Sequence, residues 1–188
     1  MTGASASGVI TYPVAALLAE QAGSRRDFTF DGIWLDMGAD LELAAAVAGR
    51  VRFSRTSRGL FITGLAETAL ALTCSRCLRP IELPLTVAFS EEALPTIDLV
   101  SGKPLDPSIE PEIIRLTDHH EVQLEPVIRE AVQLGEPIAP VCRPDCPGLC
   151  IVCGEALENG PHEHDEALLD PRLEVLRAFR VDGGAETG

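Results

Sequence analysis

Four cysteines fall within twelve residues of the stretch Cys142-Arg-Pro-Asp-Cys146-Pro-Gly-Leu-Cys150-Ile-Val-Cys153-Gly154, and His162-Glu-His164 follows. The only other cysteines are Cys74 and Cys77, a C-x2-C pair some 65 residues earlier. Thiolates two to four residues apart can turn back onto one ion without straining the backbone, the geometry a tetrahedral zinc site needs. Gly148 and Gly154 permit the tight turns involved. The chemistry expected is therefore structural metal binding, with one or two Zn2+ ions. A structural zinc takes four ligands, so Cys74 and Cys77 need partners. In one division Cys142 and Cys146 complete their site, which leaves Cys150, Cys153, His162 and His164 for a second. In the rival division Cys74, Cys77, Cys150 and Cys153 share a single ion. His119-His120 stands in an acidic stretch without partners in sequence and is expected to face solvent.

Catalysis has no comparable signature. No Gly-rich phosphate loop, nucleophile elbow or H-E-x-x-H occurs, so a non-enzymatic role is expected and no small-molecule substrate is evident. A thiol-based redox or metal-responsive regulator using Cys74 and Cys77 is the alternative. It lacks the strand-to-helix setting that lowers a thioredoxin-type thiol pKa, although Arg76 and Arg79 lie beside the pair.

Positioning these ligands requires a fold, and the pattern points to α+β: an antiparallel β-meander with a few short helices and a zinc-knuckle or zinc-ribbon-like cysteine cluster. Tyr12 to Ala22 reads as a short helix with Pro13 in its first turn and Gly23 at its exit. Phe28 to Leu35 alternates loosely. Leu41, Leu43, Val47, Val51 and Phe53 mark a half-buried strand with a bulge expected at Gly49. Leu60 to Thr73 returns as the next strand, with a second bulge expected at Gly64. Ile81, Leu83, Leu85, Val87 and Phe89 give the cleanest period of two, which places Cys74-Ser-Arg-Cys77 in a turn between strands. Residues 91–121 read as an acidic, Pro-rich loop. Pro126 to Leu134 reads as a helix ended by Gly135, and Asp170-Pro171 opens a last one carrying Leu173, Leu176 and Phe179. The expected organisation is residues 1–90 for the sheet, 91–121 for the loop, 122–180 for the helices and cysteine segment, and 181–188 for a disordered tail.

With 46% hydrophobic and 4% aromatic residues, the 188-residue chain supports a modest aliphatic core. No apolar run reaches the roughly 18 residues of a membrane span. The first residues lack a basic segment ahead of an apolar one, so a cytoplasmic location with reduced thiols is expected. Charge is lopsided: residues 1–89 carry eight Arg and eight acids, and the net −14 falls entirely in residues 90–188. Such acidity repels phosphate backbones at long range and favours basic partners. Arg50, Arg52, Arg76 and Arg79 sit on the neutral half, and Arg50 and Arg52 point to the face opposite Val51 and Phe53. They are the candidate local RNA contact.

The pieces Gly64, Cys74-Ser-Arg-Cys77-Leu-x-Pro80, Leu134-Gly-Glu-Pro137, Cys146-x-Gly-Leu-Cys150-x-x-Cys153-Gly and Asp170-Pro-Arg-Leu-x-x-Leu176 together resemble the YceD family of bacterial proteins. They span about residues 40–180. Where many members carry C-x-C after the Cys-Gly turn, this chain has His162-Glu-His164, and histidine can replace cysteine on zinc. The resemblance implies a role in accumulation or processing of large-subunit ribosomal RNA and in ribosome assembly. It implies the large-subunit rRNA precursor as a partner, and the acidic charge of residues 90–188 adds a basic ribosomal protein as an alternative or second one.

Overall fold

The structure, a computed structural model, describes residues 10–39, 41–98, 101–106, 108, 110–160, 163–164 and 172. Four long strands dominate it: β2 (Arg25–Ile33), β3 (Glu42–Arg55), β4 (Leu60–Thr73) and β5 (Pro80–Leu94). Each pairs antiparallel with the next, and a two-residue strand β6 (Ile114–Arg115) adds to β5 in parallel. The sheet is therefore mixed rather than wholly antiparallel. β1 (Thr11–Pro13) and β7 (Glu121–Gln123) form a separate two-stranded ribbon. Two α-helices are described, α1 (Ala15–Leu18) and α2 (Glu125–Leu134), with a 3-10 turn at Leu157–Asn159.

One face of the sheet is the core. Val47, Val51, Phe53, Leu60, Ile62, Ala66 and Leu70 alternate onto it and are buried. Leu17 and Leu18 of α1, Val127, Ile128 and Val132 of α2, and Leu116, Val122 and Leu124 join the same cluster. Each fully buried aliphatic side chain there contributes about 1.5–3 kcal/mol relative to exposure. Tyr12, Phe28 and Phe53 pack as tilted rings with centroids 4.9–5.6 Å apart, in the geometry aromatic quadrupoles favour.

Several local expectations change. The helix expected over Tyr12 to Ala22 shrinks to the single turn of α1, because Thr11–Pro13 is taken up in pairing with Glu121–Gln123. The acidic loop contains β6 and ends on the first residue of β7, and its first residues belong to β5. Against β4 the register of β3 slips between Leu43 and Ala48, and against β2 it slips directly beyond the Phe30–Gly49 pair, with the extra residue on β2. No bulge occurs at Gly64: the β4–β5 ladder runs unbroken from Leu60 opposite Ala93 to Thr73 opposite Pro80. Gly64 is there for space, since a Cβ would come within 2.2 Å of the Phe89 ring. The helix expected from Asp170 and the tail 181–188 lie outside the described residues, apart from Arg172.

Two features carry the chain toward the cysteines. The β4–β5 ladder ends at Thr73 and Pro80, so Cys74–Arg79 is the turn at the tip of a long hairpin. On the other side, α2 stops at Gly135, where a Cβ would meet Val87 Cγ1 at 2.6 Å, so the helix end lies tight against β5. The next residues reach that turn, where Ser75 N–H donates to the Pro140 carbonyl at 2.8 Å.

Candidate metal centre

Cys74 and Cys77 sit in a turn with a defined backbone frame. Leu78 N–H donates to the Cys74 carbonyl at 2.9 Å, and Cys74 N–H donates to the Arg79 carbonyl at 2.9 Å. Leu78 stands at φ 59°, a left-handed conformation that costs an L-residue roughly 1–2 kcal/mol. Replacing Leu78 with Gly is expected to raise thermal stability by about 1 kcal/mol, since the side chain is largely exposed and loses little packing. Calorimetry of the zinc-loaded variant checks this, and an unchanged or lower Tm contradicts it.

Cys142 and Cys146 close on this turn. Cys74 Sγ lies 3.9 Å from Cys146 Sγ, Cys77 Sγ lies 3.8 Å from Cys142 Sγ, and all four sulfurs fall within 4.8 Å of one another. A disulfide needs about 2.05 Å, so the thiols are free. Four sulfurs on a tetrahedron around an ion at ~2.3 Å would be roughly 3.8 Å apart along each edge. The cross-segment distances match that edge, so the donor set fits zinc. Cys74 and Cys146 are buried, Cys77 and Cys142 half-buried.

The surroundings hold the cluster together. Arg76 Nη1 donates to the carbonyls of Pro144 at 3.2 Å and Cys146 at 3.0 Å. Gly148, at φ 82°, passes so close to the Arg76 carbonyl that a Cβ would sit 3.2 Å from it. Arg79 Nε donates to Cys77 Sγ at 3.0 Å, and its guanidinium also pairs with Glu158. Glu158 in turn takes Arg143 Nη1 at 3.3 Å. Thiolates ligating zinc draw such donors, which fix ligand orientation and offset the charge of the tetrathiolate.

The backbone N–H of Cys77, foremost, holds the Cys74 thiol down to about 6. The backbone N–H of Arg79, then its side chain, lowers Cys77. Burial, with the neighbouring thiols, pushes Cys142 up to about 12. A metal must therefore displace the Cys142 proton but not one from Cys74 at neutral pH, and affinity falls as pH drops. In the metal-free chain the lowered Cys74 pKa contributes stability present above its ordinary value near 9 and lost as pH falls through about 6.

A second group forms from Cys150, Cys153 and His164, whose donor atoms also lie within 4.8 Å of one another. His162 lies outside the described residues. The two C-x-x-C turns thus belong to different groups, and the single-ion division of Cys74, Cys77, Cys150 and Cys153 is not formed. His119 and His120 join neither group: they lie in the turn before β7, where the His120 carbonyl accepts Val14 N–H at 2.9 Å.

The four arginines are not brought together. Arg50 and Arg52 lie on the outer sheet face opposite Leu65 and Thr63, beside a shallow depression of about 790 Å3. Arg76 and Arg79 lie roughly 25–35 Å further along β4, at ~3.3 Å per residue, and serve the cysteine cluster. Arg52 pairs with Asp27 at 2.6 Å, while Arg50 has no ion pair among the described residues. Glu158 is the site residue sequence reasoning missed, because one acid among 21 in the second half carries no signal.

The fold is thus a sheet whose hairpin tip meets a later segment through four free thiols that could hold a metal ion. The chain belongs to the YceD family, described as large ribosomal RNA subunit accumulation protein, with residues 62–180 matched. That span includes every cysteine but begins within β4, beyond Arg50 and Arg52. Uncharacterized proteins of Mycobacterium bovis and Mycobacterium tuberculosis are each 37% identical over 146 residues, covering 77% of this chain and 64% of theirs. One of Mycobacterium leprae is 29% identical over 140 residues, covering 70% and 58%. The chain thus spans less than two thirds of the length of these curated relatives. No solved structure matches it. Among the described residues no helix is long and apolar enough to cross a membrane.

Proposed function

We propose that this chain supports accumulation of large-subunit ribosomal RNA as a cytoplasmic, non-enzymatic binding factor whose cysteine lobe is held to its sheet by zinc. The observation that carries the reading is the meeting of Cys74 and Cys77 with Cys142 and Cys146 at tetrahedral spacing. Membership of a family described by large-subunit RNA accumulation supplies the biological side. The metal builds the lobe, and the surfaces around it meet the precursor particle.

RNA contact falls to the outer face of β2 and β3, with Arg50 the arginine available to a phosphate, while Arg76 and Arg79 are engaged at the cysteines. With so few cations RNA affinity has a shallow salt slope, near −0.7 per contact for single strands. Replacing both Arg50 and Arg52 with Glu is expected to weaken cosedimentation with the large-subunit precursor, to lower the ratio of large- to small-subunit RNA in cells, and to leave zinc content unchanged. If association survives this change and is lost when the exposed acids Glu155 and Glu163 are neutralised, a basic protein is the contact instead. Loss of the protein with no change in that RNA ratio overturns the reading.

The redox alternative draws on the lowered Cys74 thiol. The cross-segment approaches at 3.9 and 3.8 Å would give an oxidised chain two crossed disulfides as readily as a Cys74–Cys77 bond. Metal analysis that finds tight stoichiometric zinc without a reducible thiol pair would decide against it.

A further inference from the structure

The two C-x-x-C turns share one backbone frame. In the first, N–H of the residue after the second cysteine returns to the carbonyl of the first, Leu78 to Cys74 at 2.9 Å; in the second, Gly154 does the same to Cys150 at 2.9 Å. The leading N–H donates five residues ahead in both, Cys74 to Arg79 at 2.9 Å and Cys150 to Glu155 at 2.8 Å. The residue after the pair is left-handed in both, Leu78 at φ 59° and Gly154 at φ 74°. The second turn also aims Val152 N–H at Cys150 Sγ, at 3.4 Å. It is built as a thiolate cradle with the same precision as the first.

What completes each turn differs. Among the described residues the first gains two further thiols and is largely buried, while the second gains His164 and lies at the surface, with Cys153 and His164 exposed. Cys150 Sγ lies 3.2 Å from His164 Nε2. A tetrahedral ion bound by ~2.3 Å to sulfur and ~2.0–2.1 Å to nitrogen would hold these atoms roughly 3.6 Å apart, a few tenths more than is seen. We infer that the second turn is a metal site in its own right, taking a zinc ion reversibly and after the four-thiol site is filled. This rests on the metal reading of the four-thiol group and concerns different ligands.

The order of loading follows from how the second turn is held. Only three residues separate Cys146 of the first group from Cys150 of the second, and Gly148 between them is pressed on Arg76. Beyond the turn, Leu157 N–H returns to the Gly148 carbonyl at 3.1 Å, and Glu158 is held by Arg79 and Arg143. Arg79 touches Cys77 and Arg143 follows Cys142, so both arms of this clamp start at ligands of the first site. Filling the first site fixes both ends of the second. Ease of release follows from exposure: Cys153 and His164 lie at the surface, where a chelator can reach their donor atoms, while Cys74 and Cys146 of the first site are buried.

The test is zinc release from the loaded full chain into the chromogenic chelator 4-(2-pyridylazo)resorcinol. Two equivalents are expected, one leaving at least tenfold faster than the other. His164→Ala should abolish the fast equivalent and keep the slow one. Glu158→Gln should still bind two equivalents and speed the fast one severalfold. In cobalt-loaded protein, the difference between wild type and His164→Ala should show thiolate charge transfer scaled to two sulfurs, a signature a merely structural histidine would not give. A single slow equivalent, or two equivalents that both survive His164→Ala, overturns the inference while the four-thiol reading stands. Absence of any bound zinc overturns both.

Discussion

Replacing Cys77 with serine is expected to strip the four-thiol site of its ion and to release residues 136–160 from the hairpin tip. Three of the four ligands would remain, but a serine hydroxyl is a poor zinc donor and the closed tetrahedral set is lost. Structural zinc in small peptides is worth on the order of 10 kcal/mol, more than a typical domain can lose unharmed. An ion here would not be the only tie. Ser75 to Pro140, Arg76 to Pro144 and Cys146, and Arg79 to Glu158 also cross between the segments. Each such hydrogen bond contributes only about 0.5–1.5 kcal/mol net, so they align the lobe rather than secure it. Limited proteolysis followed by mass spectrometry should show cleavage within 136–160 rising at least tenfold in Cys77→Ser, while β2 to β5 stay protected. Chelation of wild type should reproduce the pattern. Cleavage kinetics identical to wild type would show that the two cysteine pairs share no ion.

Much of this lobe was legible in the sequence because metal ligation is written in spacing. The turn between two strands, the outward direction of Arg50 and Arg52, and the bounds of Leu60–Thr73 all follow from residue type and a period of two. Which pairs join was not legible. Cys142 and Cys146 meet Cys74 and Cys77 because α2 ends against β5 and aims residues 136–141 at the hairpin tip, a tertiary consequence with no local code. Tyr12 misled for a similar reason: its neighbours have helical spacing, but pairing with residues 121–123 pulls Thr11–Pro13 into a strand. Gly64 looked like a bulge because sequence shows a missing side chain and not the Phe89 ring that occupies its space. β6 and β7 are two and three residues long, too short for any periodicity to register.

The sheet should respond to a different kind of change. Phe53 is fully buried near the C-terminal end of β3, with its ring against both Tyr12 and Phe28. Truncation to alanine removes most of that buried surface and leaves a cavity that neighbours on a fixed sheet cannot fill. Phe→Ala changes of this kind cost about 3–5 kcal/mol. For a domain of this size each kcal/mol moves Tm by about 2–4 °C, so Phe53→Ala should melt roughly 6–20 °C below wild type. Phe61 offers the control: it lies on the outer face of the adjacent strand, 43% exposed, and its truncation should stay within about 0.5 kcal/mol. Circular dichroism melts of both variants, paired with zinc analysis below the transition, separate the two halves of the architecture. Phe53→Ala should keep its zinc at low temperature, because the four-thiol site is built at the hairpin tip, where none of its donors touches this core. Loss of zinc from Phe53→Ala well below its melting transition would mean instead that the knuckle cannot form without the packed sheet beneath it.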